Sequence, residues 1–129
     1  MDATIREALT RSQVIDITTT GRVSGEPRRI EIFFHAFDGR IYISGMPDPS
    51  HVRAWIRNLE ADPKLTFHLT KGPVADLSAT ARVITDPAER HEIIPRVAQA
   101  WRRKDADAME AHSPLIEVVI DGYGADRAA

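Results

Sequence analysis

The chain has no cysteine among its 129 residues. That excludes disulfides, thiolate nucleophiles, iron–sulfur clusters and thiolate zinc sites. It has no apolar run near the roughly 18 residues that a membrane span needs. Its first residues, Met1-Asp2-Ala3-Thr4-Ile5-Arg6-Glu7, are too polar for a secretion signal, so a cytoplasmic protein without a membrane span is expected. Charge of one sign is also lacking. The 17 Lys and Arg against 19 Asp and Glu leave a net charge of -2, which gives no general attraction to nucleic acid or to an anionic membrane. The HExxH, GxSxG, P-loop and GxGxxG patterns are missing, and no histidine pair has metal-ligand spacing. No metal site and no acid–base constellation follow from the residues, so the catalytic residues stay unknown.

What is present is ordinary globular composition, 43% hydrophobic and 28% charged, in a length that fits a single domain over residues 1–129. Residues 1–12 read as an N-terminal helical segment and 122–129 as a tail. Between them, Val14 to Thr20, Arg28 to Phe37 and Arg40 to Gly45 are strands by β-branched content or alternation, the last two joined by the hairpin signal Asp38-Gly39. A helix follows the Met46-Pro47-Asp48-Pro49 loop. Asp48 or Ser50 is its expected cap, and Val52, Trp55, Ile56 and Leu59 form its apolar stripe. Asp62-Pro63 stops it. Leu65-Phe67-Leu69 and Ala75-Leu77-Ala79-Ala81-Val83 then alternate with polar residues across a Lys71-Gly72-Pro73 turn. The small residues of the second run imply close packing on that face. Asp86-Pro87-Ala88-Glu89 starts a helix with a capping box, Pro95 is expected to kink or break it, and Arg102 to Glu110 is expected to be a solvated helical or loop segment. Pro114 to Asp121 is the last strand. Six strands, few helices and tight hairpins predict a mainly β protein with flanking helices, closed into a small antiparallel barrel.

The richest stretch for chemistry is Ile17-Thr18-Thr19-Thr20-Gly21-Arg22-Val23-Ser24-Gly25-Glu26-Pro27-Arg28-Arg29. A strand enters a glycine-punctuated turn and leaves it with arginines. Arg22, Arg28 and Arg29 place three permanent charges around one turn, where phosphate or carboxylate can be held by turn N–H groups and guanidinium forks. An ordinary hairpin with solvated arginines is the competing reading. Among the histidines, His35 and His68 lie on strands as satisfied, half-buried residues. His51, at the start of the first long helix, is the best placed to meet a ligand. His51 and Tyr42 are the candidate proton donors. Trp55 fills the core, and Asn58, an amide among apolar neighbours, must cap a strand or contact a ligand.

These residues resemble the TTGRxSGxPR signature of the deazaflavin-dependent nitroreductase family. The likeness continues through Asp38-Gly39-Arg40, through Trp55-Ile56-Arg57-Asn58-Leu59 with Ala61-Asp62-Pro63, and through Asp76-Leu77-Ser78-Ala79, covering roughly residues 15–121. The resemblance implies a six-stranded split β-barrel similar to pyridoxamine-phosphate oxidases and flavin reductases. It implies a homodimer with a cofactor groove between subunits, and the hydride carrier coenzyme F(420). Carried over by position, it assigns cofactor binding to Arg22, Arg28, Arg29, Ser44, Gly45, Met46, Pro47, Trp55 and Asn58. The implied function is hydride transfer between the deazaflavin and a small unsaturated or aromatic substrate. The sequence departs from the pattern at Val23 and at Gly45-Met46-Pro47-Asp48, where many members carry lysine. Nearby Arg22, Arg29 or Arg53 offer replacement charge. FMN or haem are the alternative cofactors, and a non-catalytic dimeric ligand-binding protein is the alternative role.

Overall fold

The computed structural model describes residues 1–50 and 52–123. Ten elements follow in chain order: α1 (Ala3–Ala8), β1 (Gln13–Thr20), β2 (Pro27–Phe37), β3 (Arg40–Ser44), α2 (Ala54–Ala61), β4 (Lys64–Leu69), β5 (Ala75–Val83), α3 (Pro87–Ala100), α4 (Ala106–His112) and β6 (Leu115–Ile120). The six strands form a closed barrel in the order β1-β2-β3-β6-β5-β4, with β4 returning to β1 and every pair antiparallel. Period-2 alternation decides what faces inward. Ile15, Ile17, Phe34, Ile41, Ile43, Phe67, Leu69 and Ile116 are fully buried inside, with Phe34 edge-on to Phe67 at 5.3 Å. The small face of β5 behaves as its composition implies: Ala79 and Ala81 are buried against the interior.

The ring is unequally sealed. The β1–β2 ladder runs from Gln13↔Phe34 to Thr20↔Pro27, but β1 meets β4 only from Asp16↔His68 to Thr18↔Thr66. Beyond Thr18 the two strands part and leave a cleft of about 440 Å³ lined by Thr19, Thr20, Lys64 and Leu65. His68 bridges the seam on the outside. Its Nδ1 lies 2.7 Å from Asp76 Oδ1 and its Nε2 2.7 Å from Thr18 Oγ1. A carboxylate only accepts, so Nδ1 carries the proton and Nε2 accepts from the threonine hydroxyl. The imidazole thereby holds the Asp76 carboxyl below its usual range. His68 is satisfied, as expected.

A second core lies under α3 and α4, where Ile84, Ile94, Val97, Met109 and Leu115 pack together with Tyr42. Asp86 caps α3 by accepting from Glu89 N at 3.1 Å. The Glu89 carboxylate does not complete a capping box. It is held by both terminal nitrogens of Arg82, at 2.8 and 2.6 Å. Arg82 also reaches buried Glu117 at 2.8 Å, so one guanidinium joins β5, β6 and α3.

Several local expectations are corrected. α3 runs through Pro95 without a break. Of the two readings of Arg102–Glu110 the helical one holds, since α4 begins there, but it is not solvated throughout: Met109 is fully buried. The N-cap of α2 is Arg53, with no side-chain cap. Asp48 instead accepts from Ser50 N at 2.9 Å and Ser50 Oγ at 2.6 Å, which closes a local turn and leaves Val52 exposed. Gly122 and Tyr123 are not frayed: Arg6 donates to Gly122 O at 3.3 Å, and its guanidinium lies 5.6 Å from the Tyr123 ring centre. Residues 124–129 of the expected tail lie outside the described residues.

The expectation of a satisfied His35 also fails. His35 is 1% exposed, its Nε2 has no partner, and it packs edge-on to Phe33 at 4.9 Å and against Trp101 at 4.8 Å. Burial alone lowers its pKa from 6.5 to about 4. The folded state therefore keeps the imidazole neutral while the unfolded chain takes a proton below 6.5. Stability is full above pH 6.5 and falls until about pH 4, by roughly 3 kcal/mol. Carboxylates with depressed pKa, such as Asp76, act lower, below their ordinary 3.8. Urea unfolding midpoints measured from pH 8 to pH 4 should fall for the natural chain and much less for His35→Phe. Equal slopes in the two proteins would clear His35 of the effect.

Candidate functional site

The arginine-bearing turn is built by its glycines. Gly25 has φ +71°, a conformation that costs other residues energy. At Gly21 space is the constraint, because a Cβ would stand 2.8 Å from Ser24 Oγ and 3.2 Å from Glu26 O. Gly21 N donates to Glu26 O and Gly25 N to Gly21 O, both at 2.8 Å. Ser24 Oγ accepts from Glu26 N at 3.1 Å and from Arg28 at 3.3 Å. The assembled turn is then fastened to α2. Asn58 Oδ1 accepts from Arg22 N at 3.1 Å and from the Arg22 side chain at 3.2 Å, while Asn58 Nδ2 donates to Thr19 Oγ1 at 3.1 Å. Asn58 is 4% exposed. Of its two expected roles, the strand-holding one is realised here.

The three turn arginines do not converge. Arg28 and Arg29 are neighbours on β2, so strand alternation sends them to opposite faces. Arg29 Nε donates to Asp16 Oδ2 at 2.8 Å across the β1–β2 pair. Arg22 is turned to Asn58. Arg28 is exposed, and among the described residues its side chain bonds only the neutral Ser24 hydroxyl.

The loop after β3 is held from three sides. Ser44 Oγ donates to Pro114 O at 2.6 Å and is buried, so this residue offers a ligand its backbone only. Arg53 donates to Met46 O at 2.7 Å. Its guanidinium lies over Gly45, where a Cβ would meet Arg53 Cζ at 3.3 Å and Pro114 Cγ at 3.2 Å. Arg103 touches Met46 Sδ and pairs with Asp105. Asp48 N donates to His112 O at 3.2 Å. Behind this loop opens a cavity of about 560 Å³ between α2, the end of β5 and the start of β6. Arg53, Ile56, Arg57 and Glu60 line it, at the spacing of one helical face. Trp55 packs on the barrel core, and Asn58 holds the turn. α2 is therefore a partition, with the turn on one side and the cavity on the other.

The opposite wall contains Arg90 and Ser113. Arg90 donates to four carbonyls, of Ile84, Met109, Glu110 and Ser113, at 2.7–3.2 Å, and burial lowers its pKa. The Ser113 hydroxyl is buried and has no partner. Sequence reading does not single out Arg90, Ser113 or Arg103. Their partners lie on other elements, and no local motif marks them. Of the candidate proton donors, Tyr42 is buried in the α3 core and stacked on Phe37 at 4.9 Å, and His51 lies outside the described residues.

Asn58→Ala removes the fastening and leaves Thr19 Oγ1 and Arg22 N short of a partner. The expected loss is about 2–4 kcal/mol, read as a fall in melting temperature on the order of 10 °C. Asn58→Asp keeps the acceptor but loses the donor to Thr19, and should fall between. A melting temperature within a degree or two of the natural chain for Asn58→Ala would show that the turn stands without α2.

A family model described as F420H(2)-dependent quinone reductase matches residues 1–122. Among solved structures, an F420-H2 dependent reductase is 20% identical with a TM-score of 0.62, over 82% of this chain and 93% of that one. A pyridoxamine 5'-phosphate oxidase-type protein of Listeria innocua is 13% identical with a TM-score of 0.66, over 91% and 90%. A chain described as a domain-swapped dimer is 22% identical with a TM-score of 0.62, over 82% and 79%. At these identities the structures establish the split-barrel fold, and the family match carries the chemistry. The chain belongs to the F420H(2)-dependent quinone reductase family, and its chemistry is deazaflavin-dependent oxidoreduction.

Proposed function

We propose that the chain reduces a quinone or a comparable flat, conjugated carbonyl compound, with the deazaflavin and its acceptor meeting in the cavity between α2 and β6. The single observation behind this reading is the composition of that cavity. At about 560 Å³ it is of the size that small-molecule sites occupy. Its walls carry the Arg53 and Arg57 cations beside apolar Ile56, Val83 and Leu115. A planar conjugated ring with polar edges fits such a donor set.

Reduced deazaflavin, when bound, supplies a hydride. The protein's part is to bind, orient and stabilise charge. Arg28, exposed on the far side of α2, anchors the coenzyme's acidic groups. Arg22 and Arg29 hold the turn in shape through Asn58 and Asp16. The backbone of Ser44 to Pro47, pinned by Arg53 and Arg103, presents a fixed edge at the cavity mouth. No buried acid or base is needed, because water at an open cavity can deliver the second proton that completes a hydroquinone.

We further infer that two copies associate, with the site near their seam. Val23 on the turn and Val74 on the β4–β5 turn are 92% and 78% exposed and Met46 on the loop 48%, and one neighbour is a domain-swapped dimer. No described helix is long and apolar enough to cross a membrane, and the net charge of -2 suits a small-molecule substrate in the cytoplasm rather than nucleic acid.

Mixing the protein anaerobically with reduced coenzyme F(420) and menadione should restore the oxidised deazaflavin's visible absorbance. No turnover with menadione or any other quinone would remove the acceptor class. Arg28→Ala should weaken coenzyme affinity about ten- to a hundredfold, on the order of 1.5–3 kcal/mol. The melting temperature should scarcely move, since Arg28 is exposed and makes one long hydrogen bond. Unchanged affinity by fluorescence titration would remove the anchor.

A further inference from the structure

We propose that Arg53 is a catalytic residue of the acceptor site: its guanidinium stabilises the negative charge that forms on the acceptor's oxygen. The proposal rests on the cavity reading above and adds to it the group that makes the acceptor electrophilic.

Three observations support it. First, among the described residues Arg53 pairs with no carboxylate, and its one hydrogen bond is to Met46 O at 2.7 Å. Arg57, next along the same wall, faces Glu60 at 3.6 Å, and Arg90 is occupied by four carbonyls. Among the described residues Arg53 is thus the wall arginine that neither faces a carboxylate nor is filled by carbonyls. Second, its place is fixed by packing. The guanidinium lies close over Gly45, beside Pro114, where a Cβ would stand 3.3 Å from its Cζ. A charge held in position before the reaction stabilises a new charge without reorganisation. Third, Ser113, the residue before Pro114 and also in the cavity wall, carries a buried hydroxyl with no partner. Orphaned buried hydroxyls are uncommon. Ser113 stands in the same wall as Arg53, as the residue before the proline that flanks Gly45.

The step balances simply. A hydride from the reduced coenzyme is transferred to one carbonyl oxygen of the quinone, and an O–H bond forms. The conjugated π electrons move to the other carbonyl oxygen, which becomes a phenolate beside Arg53. The quinone is reduced by two electrons and the coenzyme oxidised by two. Water then protonates the oxyanion, and the hydroquinone leaves. Guanidinium stays protonated throughout, so Arg53 acts by charge and hydrogen bonding and moves no proton.

The experiment measures the positive field directly, without turnover. 4-Nitrophenol is a flat aromatic whose phenolate is coloured and whose neutral form is not. Bound to the natural protein, it should ionise at lower pH than in buffer, with phenolate bound about tenfold or more tighter than phenol. Arg53→Met keeps the apolar stem and should abolish that preference, whereas Arg53→Lys should keep part of it. Gly45→Ala leaves Arg53 in the sequence but crowds its guanidinium at 3.3 Å, and should weaken the preference without abolishing it. In menadione reduction, Arg53→Met should lower kcat about ten- to a hundredfold with KM little changed. Coenzyme titration separates the two ideas. If the natural protein binds no deazaflavin, the proposed function fails, and the nitrophenol result still decides whether Arg53 is an oxyanion donor. Equal binding of phenol and phenolate by the natural protein, or a preference retained in Arg53→Met, would overturn the assignment.

Discussion

The side-chain amide of Asn58 is the contact on which the site's geometry depends. It is buried on a helix of eight residues, and a buried amide without partners would cost more than its bonds return. It finds them in Arg22 N, the Arg22 guanidinium and Thr19 Oγ1. One amide thereby locates α2 against the end of β1 and shapes the turn. Because residues on a helix repeat every 3.6 positions, fixing Asn58 on one side also fixes Arg53, Ile56, Arg57 and Glu60 on the other. The turn and the cavity are two faces of one decision about where α2 lies.

The barrel supports this arrangement through charge as well as packing. Arg29 meets Asp16, Arg96 meets Asp38, and Arg82 is shared between Glu89 and the buried Glu117. Glu117 is almost completely buried, and a lone charge there would be costly. Arg82 at 2.8 Å and Arg40 at 3.9 Å supply the compensation. These pairs sit between strands and α3, where they hold register. They also neutralise most of the surface, so a local excess of positive charge survives only where no carboxylate is within reach.

What could be read from the sequence was what short-range physics decides. Alternation named the inner faces of β4 and β5, Asp38-Gly39 marked the β2–β3 turn, and the Asp86 cap marked the start of α3. The turn from Gly21 to Gly25 and the loop after β3 were legible through their motif. Where reading failed or stayed open, a contact other than the expected one decided. Asp48 and Ser50 look like helix caps, but they bond each other. Glu89 looks like half of a capping box, but Arg82 takes it from a strand. Arg102 to Glu110 left helix and loop open, because what decides it is Met109, buried against α3. The cavity was illegible for the same reason. Its walls come from α2, the end of β5, α3 and the start of β6, and only the closed ring brings those together.

The distribution of unpaired cations says most about function. In a chain of net charge -2, among the described residues Arg22 and Arg28 bond only neutral side chains at the turn, and Arg53 and Arg90 bond only carbonyl oxygens at the cavity. A ligand that is anionic at one end and gains electrons at the other matches that pattern, with each end meeting positive charge across a partition one helix thick. A structural role alone would not require it, since a barrel that needed only stability would set a carboxylate against Arg53, as it does against Arg29 and Arg82. Hydride transfer needs its partners aligned and the resulting charge stabilised, and a permanently charged guanidinium supplies that stabilisation at any pH the fold survives.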